Sequence, residues 1–295
     1  MPTMRDIKGR IRSVTTTKKT TKAMNLVSSA KMARARGKLT AGNPYFSLMR
    51  RAIGDILNTD INPAQDFDNP CFEGARKITK AMVVVIANDR GLCGGYNANV
   101  TKLAAKLAAG LSDEGKDVSF FTIGNKARDF IRRAGGNIVN HYGGISESPT
   151  IEDAREIIEK LMFLYLKHDI DEVHLCYTEF VSAITYVPKS IRLLPLSPAD
   201  FPAEEGRAGK IVMKFEPSPE EVLEYVIPKY LGTMTYEALI TSAASGQGAT
   251  MTAMDAATEN AENIISDLTL ILNRVRQAAI TQEISEIVGG ANALE

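Results

Sequence analysis

The sequence predicts an α/β fold that consists of a long antiparallel coiled coil, made by the N-terminal and C-terminal helices, and a Rossmann-like α/β domain between them in the chain. Two observations lead to this prediction. Both ends of the 295-residue chain are long, proline-poor helical patterns, and they carry opposite charge. Between them, short runs of β-branched residues alternate with amphipathic helical patterns, which is typical of a mostly parallel sheet. We expect the three parts to cover residues 1–60, 75–217 and 218–290.

The N-terminal segment has the features of a long helix. Thr3 is followed three residues later by Asp6, as in a capping box, and no proline occurs between Thr3 and Pro44. We expect a kink or a break at Pro44, because proline lacks the amide hydrogen that a helix needs. The predicted inner face is half polar and consists of Ile11, Val14, Lys18, Thr21, Asn25, Ser28, Met32, Ala35 and Leu39.

The C-terminal segment begins with a strong helix-start signal. Ser218 is a good N-cap, Pro219 suits the first helical position, and Glu221 completes a capping box. We expect Pro228 to bend the helix and Gly289-Gly290 to end it. An apolar repeat with 3–4 spacing predicts a coiled-coil seam of Met254, Ala257, Ala261, Ile264, Leu268, Ile271, Val275 and Ala278.

The formal net charge is zero, but the charge is divided between the two ends. Residues 1–40 contain eleven basic residues and one acidic residue, a net charge of +10. Residues 219–295 contain three basic and eleven acidic residues, a net charge of −8. Pairing these segments within one chain places opposite charges together, whereas a homodimer would place like charges together. We therefore favour an intramolecular antiparallel pair, with two ordinary helices of a bundle as the alternative.

The central segment alternates predicted strands and helices, which indicates a Rossmann-like α/β domain. Strands are expected at residues 80–88, 117–124 and 171–180. A further strand at residues 185–196 is expected at the edge of the sheet, because its proline, Pro188, does not fit a central strand. Helices are expected over ANVTKLAAKLAAGL, NKARDFIRRAGG and TIEDAREIIEKLMFLYLKHDI.

The loop NDRGLCGGYN, after the first predicted strand, has the position and glycine content of a ligand loop. Its glycines fit neither G-x-x-x-x-G-K-[ST] nor G-x-G-x-x-G, and no acidic residue ends the next strand, where a ribose would bind. An enzyme that binds a nucleotide at Gly91–Gly95 therefore stays a weaker alternative. A catalytic Cys93 is a further alternative, and it would need a base such as His141, His168 or His174.

The composition argues against several other classes of protein. The three cysteines lie far apart, with neither CxxC nor His-x-x-x-His spacing, so we expect no metal site and no disulfide framework. The longest apolar run, AMVVVIA, is far shorter than the roughly 20 residues of a membrane helix. The N-terminus lacks the apolar segment of a secretory signal. Zero net charge does not favour nucleic-acid binding, although the basic N-terminal arm keeps it as an alternative.

Over essentially its whole length, the chain resembles the gamma subunit of the F-type ATP synthase. The resemblance rests on TTKAMNLVSSAKM, NDRGLCGGYNANV, YLGTMTYEALITSAAS, AMDAATENA and ITQEISEIVGGANA. It implies a central rotor shaft inside a ring of alternating alpha and beta subunits, with the α/β domain touching epsilon and the membrane c-ring. The shaft would couple ion flow to ATP synthesis or hydrolysis. It would hold no catalytic residue or cofactor and would lie at the cytoplasmic face of a bacterial plasma membrane.

The resemblance also implies which residues meet the ring of alpha and beta subunits. In the family, S-x-A-S-E-x-x-A-R-M is usual where this chain has SAASGQGATM, so Gly246 replaces the acid and Thr250 the arginine. Because that arginine usually engages a loop of beta, we expect a weaker or differently built contact there and a locally softer helix. The expected contact residues are Lys8, Lys18, Met24, Asp89, Arg90, Cys93, Thr250, Arg276, Gln277, Thr281, Gln282 and Glu286.

Overall fold

The computed structural model describes residues 3–57, 69–74, 77–197, 200–201, 216 and 218–292. The expected boundaries at residues 60, 75 and 217 lie outside these residues. In chain order the elements are α1 (Met4–Leu57), β1 (Lys80–Ile86), α2 (Tyr96–Asp113), β2 (Asp117–Ile123), α3 (Asn125–Arg133), β3 (Ile138–Tyr142), α4 (Ile151–Leu166), β4 (Glu172–Phe180), β5 (Tyr186–Leu194) and α5 (Pro219–Asn292).

The starts of the two long helices follow from their capping residues. The backbone N–H of Asp6 donates to Thr3 Oγ1 and the backbone N–H of Thr3 donates to Asp6 Oδ2, which completes the predicted capping box. At α5, the backbone N–H of Glu221 donates to Ser218 Oγ. Both helices continue through their internal prolines, so α1 is not broken at Pro44, and the kink there and the bend at Pro228 stay predictions. Helix α5 also runs past Gly289-Gly290 to Asn292.

By their contacts, the residues fall into two units, Met1–Ser28 with Thr250–Glu295 and Ser29–Ala249. In the first unit, α1 and α5 run antiparallel, as the sequence predicts. Residues with increasing numbers on α1 contact residues with decreasing numbers on α5. This direction is set by the contacts Lys18 Nζ–Glu262 Oε1 (2.8 Å), Thr21 Oγ1–Thr258 Oγ1 (2.7 Å) and Asn25 Nδ2–Met251 O (2.9 Å).

The inner face of α5 in this unit differs in part from the predicted seam. Met254, Ala261 and Leu268 are buried as expected, whereas Ile264 and Ile271 are 45% and 42% exposed. A seam on α5 can follow either of two heptad patterns, with inner residues spaced 3 and then 4 apart or 4 and then 3 apart, and the two patterns have every seventh residue in common. Because apolar residues occupy many of the remaining positions in both patterns, the sequence did not distinguish between them. Ala257 and Val275 of the predicted seam are half-buried, and so are Thr258, Ile265, Leu272 and Ala279, which follow the 4–3 spacing; Ala278 is exposed. On α1, the predicted positions from Ile11 to Ser28 are buried or half-buried.

The second unit contains a five-stranded sheet in the order β3-β2-β1-β4-β5. Its strands are parallel except for the antiparallel β4–β5 pair. The mixed α/β fold is as predicted, and β5, with Pro188, lies at the edge as expected. The sequence did not indicate β3, because its five residues IVNHY lack a sustained apolar run. In the part of the chain that the structure describes, none of the helices contains an apolar stretch that could span a lipid bilayer.

The central strand β1 is buried on both faces, which is why it reads as the unbroken run AMVVVI. Met82, Val84 and Ile86 point to one side, where they share a core with α4. Ala81, Val83 and Val85 point to the other side, against α2 and α3. Because the side chains of a strand alternate between its faces, this single strand anchors both layers of helices.

Candidate functional site

The loop NDRGLCGGYN starts at the carboxyl end of β1, beside the place where the strand order changes direction. In open α/β sheets this crevice is where ligands usually bind. The loop turns sharply here, since Leu92 and Gly94 have positive φ angles of 62° and 55°. The turn directs Cys93 and Tyr96 inward, where they pack with Ala249 of α5.

Asp89 ties this loop to the next strand–helix connection. Its Oδ1 accepts hydrogen bonds from the backbone N and the Nδ2 of Asn125, at 3.0 and 2.9 Å, and its Oδ2 accepts one from Ser146 Oγ at 2.6 Å. Asn125 opens α3, so the carboxylate lies at a helix N-terminus, where negative charge is favoured. Burial opposes ionisation, but the hydrogen bonds from Ser146, Gly144 and Asn125 outweigh it and lower the pKa of Asp89 below its ordinary value.

We expect Asp89→Asn to reduce the free energy of unfolding by about 1–2 kcal/mol, because it removes the charge and an acceptor at the start of α3. The pKa of Asp89 in the folded state lies below the ordinary 3.8. Ionised Asp89 therefore contributes its full stabilisation above pH 3.8, and this stabilisation disappears as the pH falls through the lowered pKa. Urea unfolding at several pH values measures it. Asp117→Asn, at an exposed strand position, is the control; an equal loss in both variants would contradict this role.

Cys93 lacks the surroundings of a catalytic thiol. Its side chain is 2% exposed, its Sγ lies 3.0 Å from Asn97 Nδ2, and burial raises the pKa of the thiol. The imidazole of His141 instead contacts Thr122 Oγ1 at 3.1 Å and Asn125 Oδ1 at 3.3 Å. A thiol held in its protonated form is a poor nucleophile.

Helix α5 occupies the crevice that would hold a ligand. β1 pairs with β4 only as far as Cys176, and β4 continues to Phe180 beyond it. Three hydroxyl groups of α5 bind the backbone of this continuation. Thr178 N donates to Ser242 Oγ (3.2 Å), Phe180 N donates to Thr241 Oγ1 (2.9 Å), and Ser245 Oγ donates to Thr178 O (3.2 Å).

The loop after β1 holds α5 from a second direction. The buried Tyr96 donates its hydroxyl hydrogen to Ser242 O at 2.9 Å. Gly246 faces Asn88, and a Cβ built on this glycine would lie 2.6 Å from Asn88 Oδ1. The glycine that departs from the family pattern therefore has a packing reason here. With its crevice filled by α5, the sheet gives no support to a nucleotide site at Gly91–Gly95.

Comparison with known proteins agrees with this geometry. The family model described as ATP synthase matches residues 3–294. The ATP synthase gamma chain of Alkaliphilus metalliredigens is 47% identical, over 99% of both chains. The chain belongs to the ATP synthase gamma-chain family. The gamma chain of Heliobacterium modesticaldum is 44% identical over all of both chains. A chain of the Euglena gracilis mitochondrial ATP synthase rotor shares the fold, with a TM-score of 0.69 and 15% identity over 94% of this chain and 98% of that one.

The contact residues expected from the gamma-chain family differ in exposure. The side chain of Arg90 is 85% exposed, and its Nε lies 3.9 Å from Glu147 Oε1. Cys93 is buried against other residues of the same chain. Half-buried positions are Lys18, Met24, Asp89 and Thr250, and exposed positions are Lys8, Arg276, Gln277, Thr281, Gln282 and Glu286.

Sequence reasoning missed the hydroxyl groups of α5 that bind β4. Thr241, Ser242 and Ser245 lie within a helix, where such residues are usually disfavoured because their side chains compete for backbone hydrogen bonds. These three residues are only 4%, 2% and 0% exposed, so their side chains make tertiary contacts instead. A cluster of small hydroxyl residues inside a long helical pattern was the available signal. Its target on β4 could not be read from the sequence.

Proposed function

We propose that this chain is the central rotor shaft of a bacterial ATP synthase. It transmits torque between the membrane c-ring and the catalytic beta subunits, and thereby couples ion flow to ATP synthesis or hydrolysis. The observation that carries this proposal is full-length similarity to ATP synthase gamma chains. The partners are the ring of alpha and beta subunits, epsilon and the c-ring, and the location is the cytoplasmic face of the plasma membrane.

We infer that the chain itself is not catalytic, and that the reaction takes place in the beta subunits. Among the described residues, no group of three or more His, Cys, Asp or Glu side chains is arranged to hold a metal ion. The thiol that most resembled a nucleophile, Cys93, is buried and hydrogen-bonded to Asn97. The full-length similarity to gamma chains supports a mechanical role, in which the surfaces of the chain carry the function.

The first unit supports a shaft that turns inside a sleeve. Toward its C-terminal end α5 exposes the apolar residues Ile280, Ile284 and Ile287, which suit a surrounding protein surface. Its seam is partly polar, as at the Thr21–Thr258 contact, so the pair is not held by a continuous apolar core. Basic residues such as Lys8 would attract acidic loops of beta by long-range forces that tolerate a change of angle.

We propose that the residues facing the ring are the exposed members of the expected set, together with Met24 and Thr250. Lys18 pairs with Glu262 and Asp89 binds Asn125 and Ser146, so these two have structural roles within the chain. The proposed contact set is Lys8, Met24, Arg90, Thr250, Arg276, Gln277, Thr281, Gln282 and Glu286.

Reconstitution with alpha and beta subunits tests the proposal. We expect the chain to co-purify with both subunits and, when the ring is immobilised, to rotate a bead attached to the α/β domain during ATP hydrolysis. A chain truncated after residue 249, which lacks the C-terminal part of α5, is the control and should not support full rotation. Steady ATP hydrolysis by a complex in which the intact chain does not turn would overturn the proposal.

The departure at Thr250 gives a more specific prediction. Thr250→Arg restores the arginine that is usual in the family, and we expect it to change the ATP hydrolysis rate of the assembled complex by about two- to fivefold, since one exposed charge pair contributes up to about 1 kcal/mol. Thr252→Arg, at an exposed position two residues away, adds the same charge on a different face. Equal rates in the two variants would argue against a contact with beta at residue 250.

A further inference from the structure

We propose that Thr241, Ser242 and Ser245 form a torque-bearing joint that fixes the rotational position of α5 on the sheet. The inference rests on the proposed shaft function, because a joint of this kind matters only if torque enters through the α/β domain. The three residues are positioning residues, and the joint is the set of hydrogen bonds that they make with Thr178 and Phe180 of β4.

The joint begins with backbone groups of β4 that lie beyond the end of its pairing with β1, on the strand edge that does not face β5. β1 last pairs with β4 at Cys176, and the N–H and C=O of Thr178 and the N–H of Phe180 extend past that point. Thr178 is 1% exposed, so water cannot satisfy its backbone groups. Buried backbone donors and acceptors without partners are costly, and the chain must therefore supply partners from another element.

Helix α5 supplies these partners from one face. Positions 242 and 245 are three residues apart and positions 241 and 245 are four apart, so the three hydroxyls lie side by side on the helix. Each bond joins a side chain held at a fixed angle around α5 to a backbone atom held in the sheet. Turning α5 about its axis, or sliding it along β4, would stretch all three bonds together.

This arrangement differs from ordinary helix packing. Apolar contacts are non-directional and can be exchanged as one surface slides over another. Hydrogen bonds weaken steeply when their angle or length departs from the optimum. The joint therefore resists rotation at the place where apolar packing alone would allow slip.

The loop side of the crevice reinforces the joint. Tyr96, 1% exposed, donates to Ser242 O, and Gly246 allows Asn88 to approach α5 closely. α5 is thereby held by β4 on one side and by the β1–α2 loop on the other. Because α5 continues as one helix from Pro219 to Asn292, torque applied at residues 241–245 enters a continuous helix.

Amide hydrogen exchange in the assembled complex tests the joint itself. Thr241→Val removes a hydroxyl at nearly constant volume, and we expect the Phe180 amide to exchange about tenfold faster, since one lost hydrogen bond shifts local opening by about that factor. Ser242→Ala should act on the Thr178 amide in the same way. Thr241→Ser keeps the hydroxyl and should leave exchange at Phe180 unchanged. Unaltered exchange in Thr241→Val would overturn the joint.

Single-molecule rotation tests its mechanical role. With the catalytic sites stalled, a bead on the α/β domain should show angular fluctuations that are at least about twofold wider in the Thr241→Val/Ser242→Ala/Ser245→Ala variant, because only non-directional packing remains. Thr235→Val is the matched control, because the hydroxyl of Thr235 is buried with no hydrogen-bond partner among the described residues. Equal fluctuations in the triple and control variants would overturn the role.

Amide exchange and single-molecule rotation together distinguish a failure of the proposed joint from a failure of the proposed shaft function. If the wild-type complex hydrolyses ATP without rotation, the proposed shaft function fails, while exchange at Thr178 and Phe180 still decides whether the hydrogen bonds fix α5. If the wild type rotates and the triple variant keeps normal angular width, the shaft stands and the torque-bearing role of the joint falls. Should the triple variant fail to assemble, Thr241→Val alone is compared with Thr241→Ser for angular width.

Discussion

Gly124→Ala is expected to lower the free energy of unfolding by more than about 3 kcal/mol, among the largest effects of any single substitution in the sheet. Gly124 follows β2 and is the N-cap residue of α3, with a φ of +88°. A Cβ at this position would lie 2.0 Å from Ala87 O and 2.8 Å from Ala87 C. Urea unfolding followed by circular dichroism measures the loss.

The backbone that the new methyl group meets cannot move aside. Ala87 N donates to Ile123 O at 2.9 Å, and Gly124 N donates to Tyr142 O at 2.7 Å. Relief of the clash would therefore separate β1 from β2 or β2 from β3 at the ends that carry the loop to Asp89. We expect the variant to lose the β1 loop as well as stability, with faster amide exchange from Asn88 onward.

Gly115→Ala separates the clash from the cost of a left-handed backbone. Gly115 has a φ of +81°, close to that of Gly124, but a Cβ there would meet no atom within 4 Å. It should cost only about 1–2 kcal/mol, the usual penalty for an alanine in this conformation. If both variants lost the same stability, the close approach to Ala87 would not be the cause.

The parts of the fold that depend on local chemistry could be predicted from the sequence. Thr3 with Asp6 and Ser218 with Glu221 mark helix starts that the structure contains, because a cap needs only residues three positions apart. The buried run of β1 and the edge position of Pro188 also follow from local rules. The opposite charges of the two ends correctly indicated an antiparallel pair within one chain.

The parts that depend on distant residues could not be predicted. Cys93 is buried because Tyr186 and Ala249 cover it, and nothing in NDRGLCGGYN indicates those partners. The loop sequence does not indicate that the carboxylate of Asp89 accepts hydrogen bonds from Asn125 and Ser146, which follow the ends of other strands. In each case the decisive contact joins segments whose proximity only the folded sheet creates.

Glu172→Gln is expected to reduce the free energy of unfolding by about 2–3 kcal/mol, because it leaves a partly buried lysine without its main counter-charge. Glu172 Oε2 lies 2.7 Å from Lys116 Nζ, and Oε1 lies 3.0 Å from His174 Nε2. Burial alone would raise the pKa of Glu172, but the close contacts with His174 and Lys116 outweigh it and lower the pKa to about 2. Thermal unfolding across pH 2–7 measures the effect.

The pH dependence and a second glutamate make this prediction specific. Because the folded-state pKa lies below the ordinary 4.5, the stabilisation is complete above that pH and is lost as the pH falls toward 2. The gap between wild type and Glu172→Gln should therefore be constant near neutral pH and close in acid. Glu114 contacts the same Lys116 Nζ at 3.0 Å, but its side chain is 61% exposed. Glu114→Gln should cost less than about 0.5 kcal/mol at any pH, and an equal cost would show that burial of Glu172 does not strengthen its ion pair.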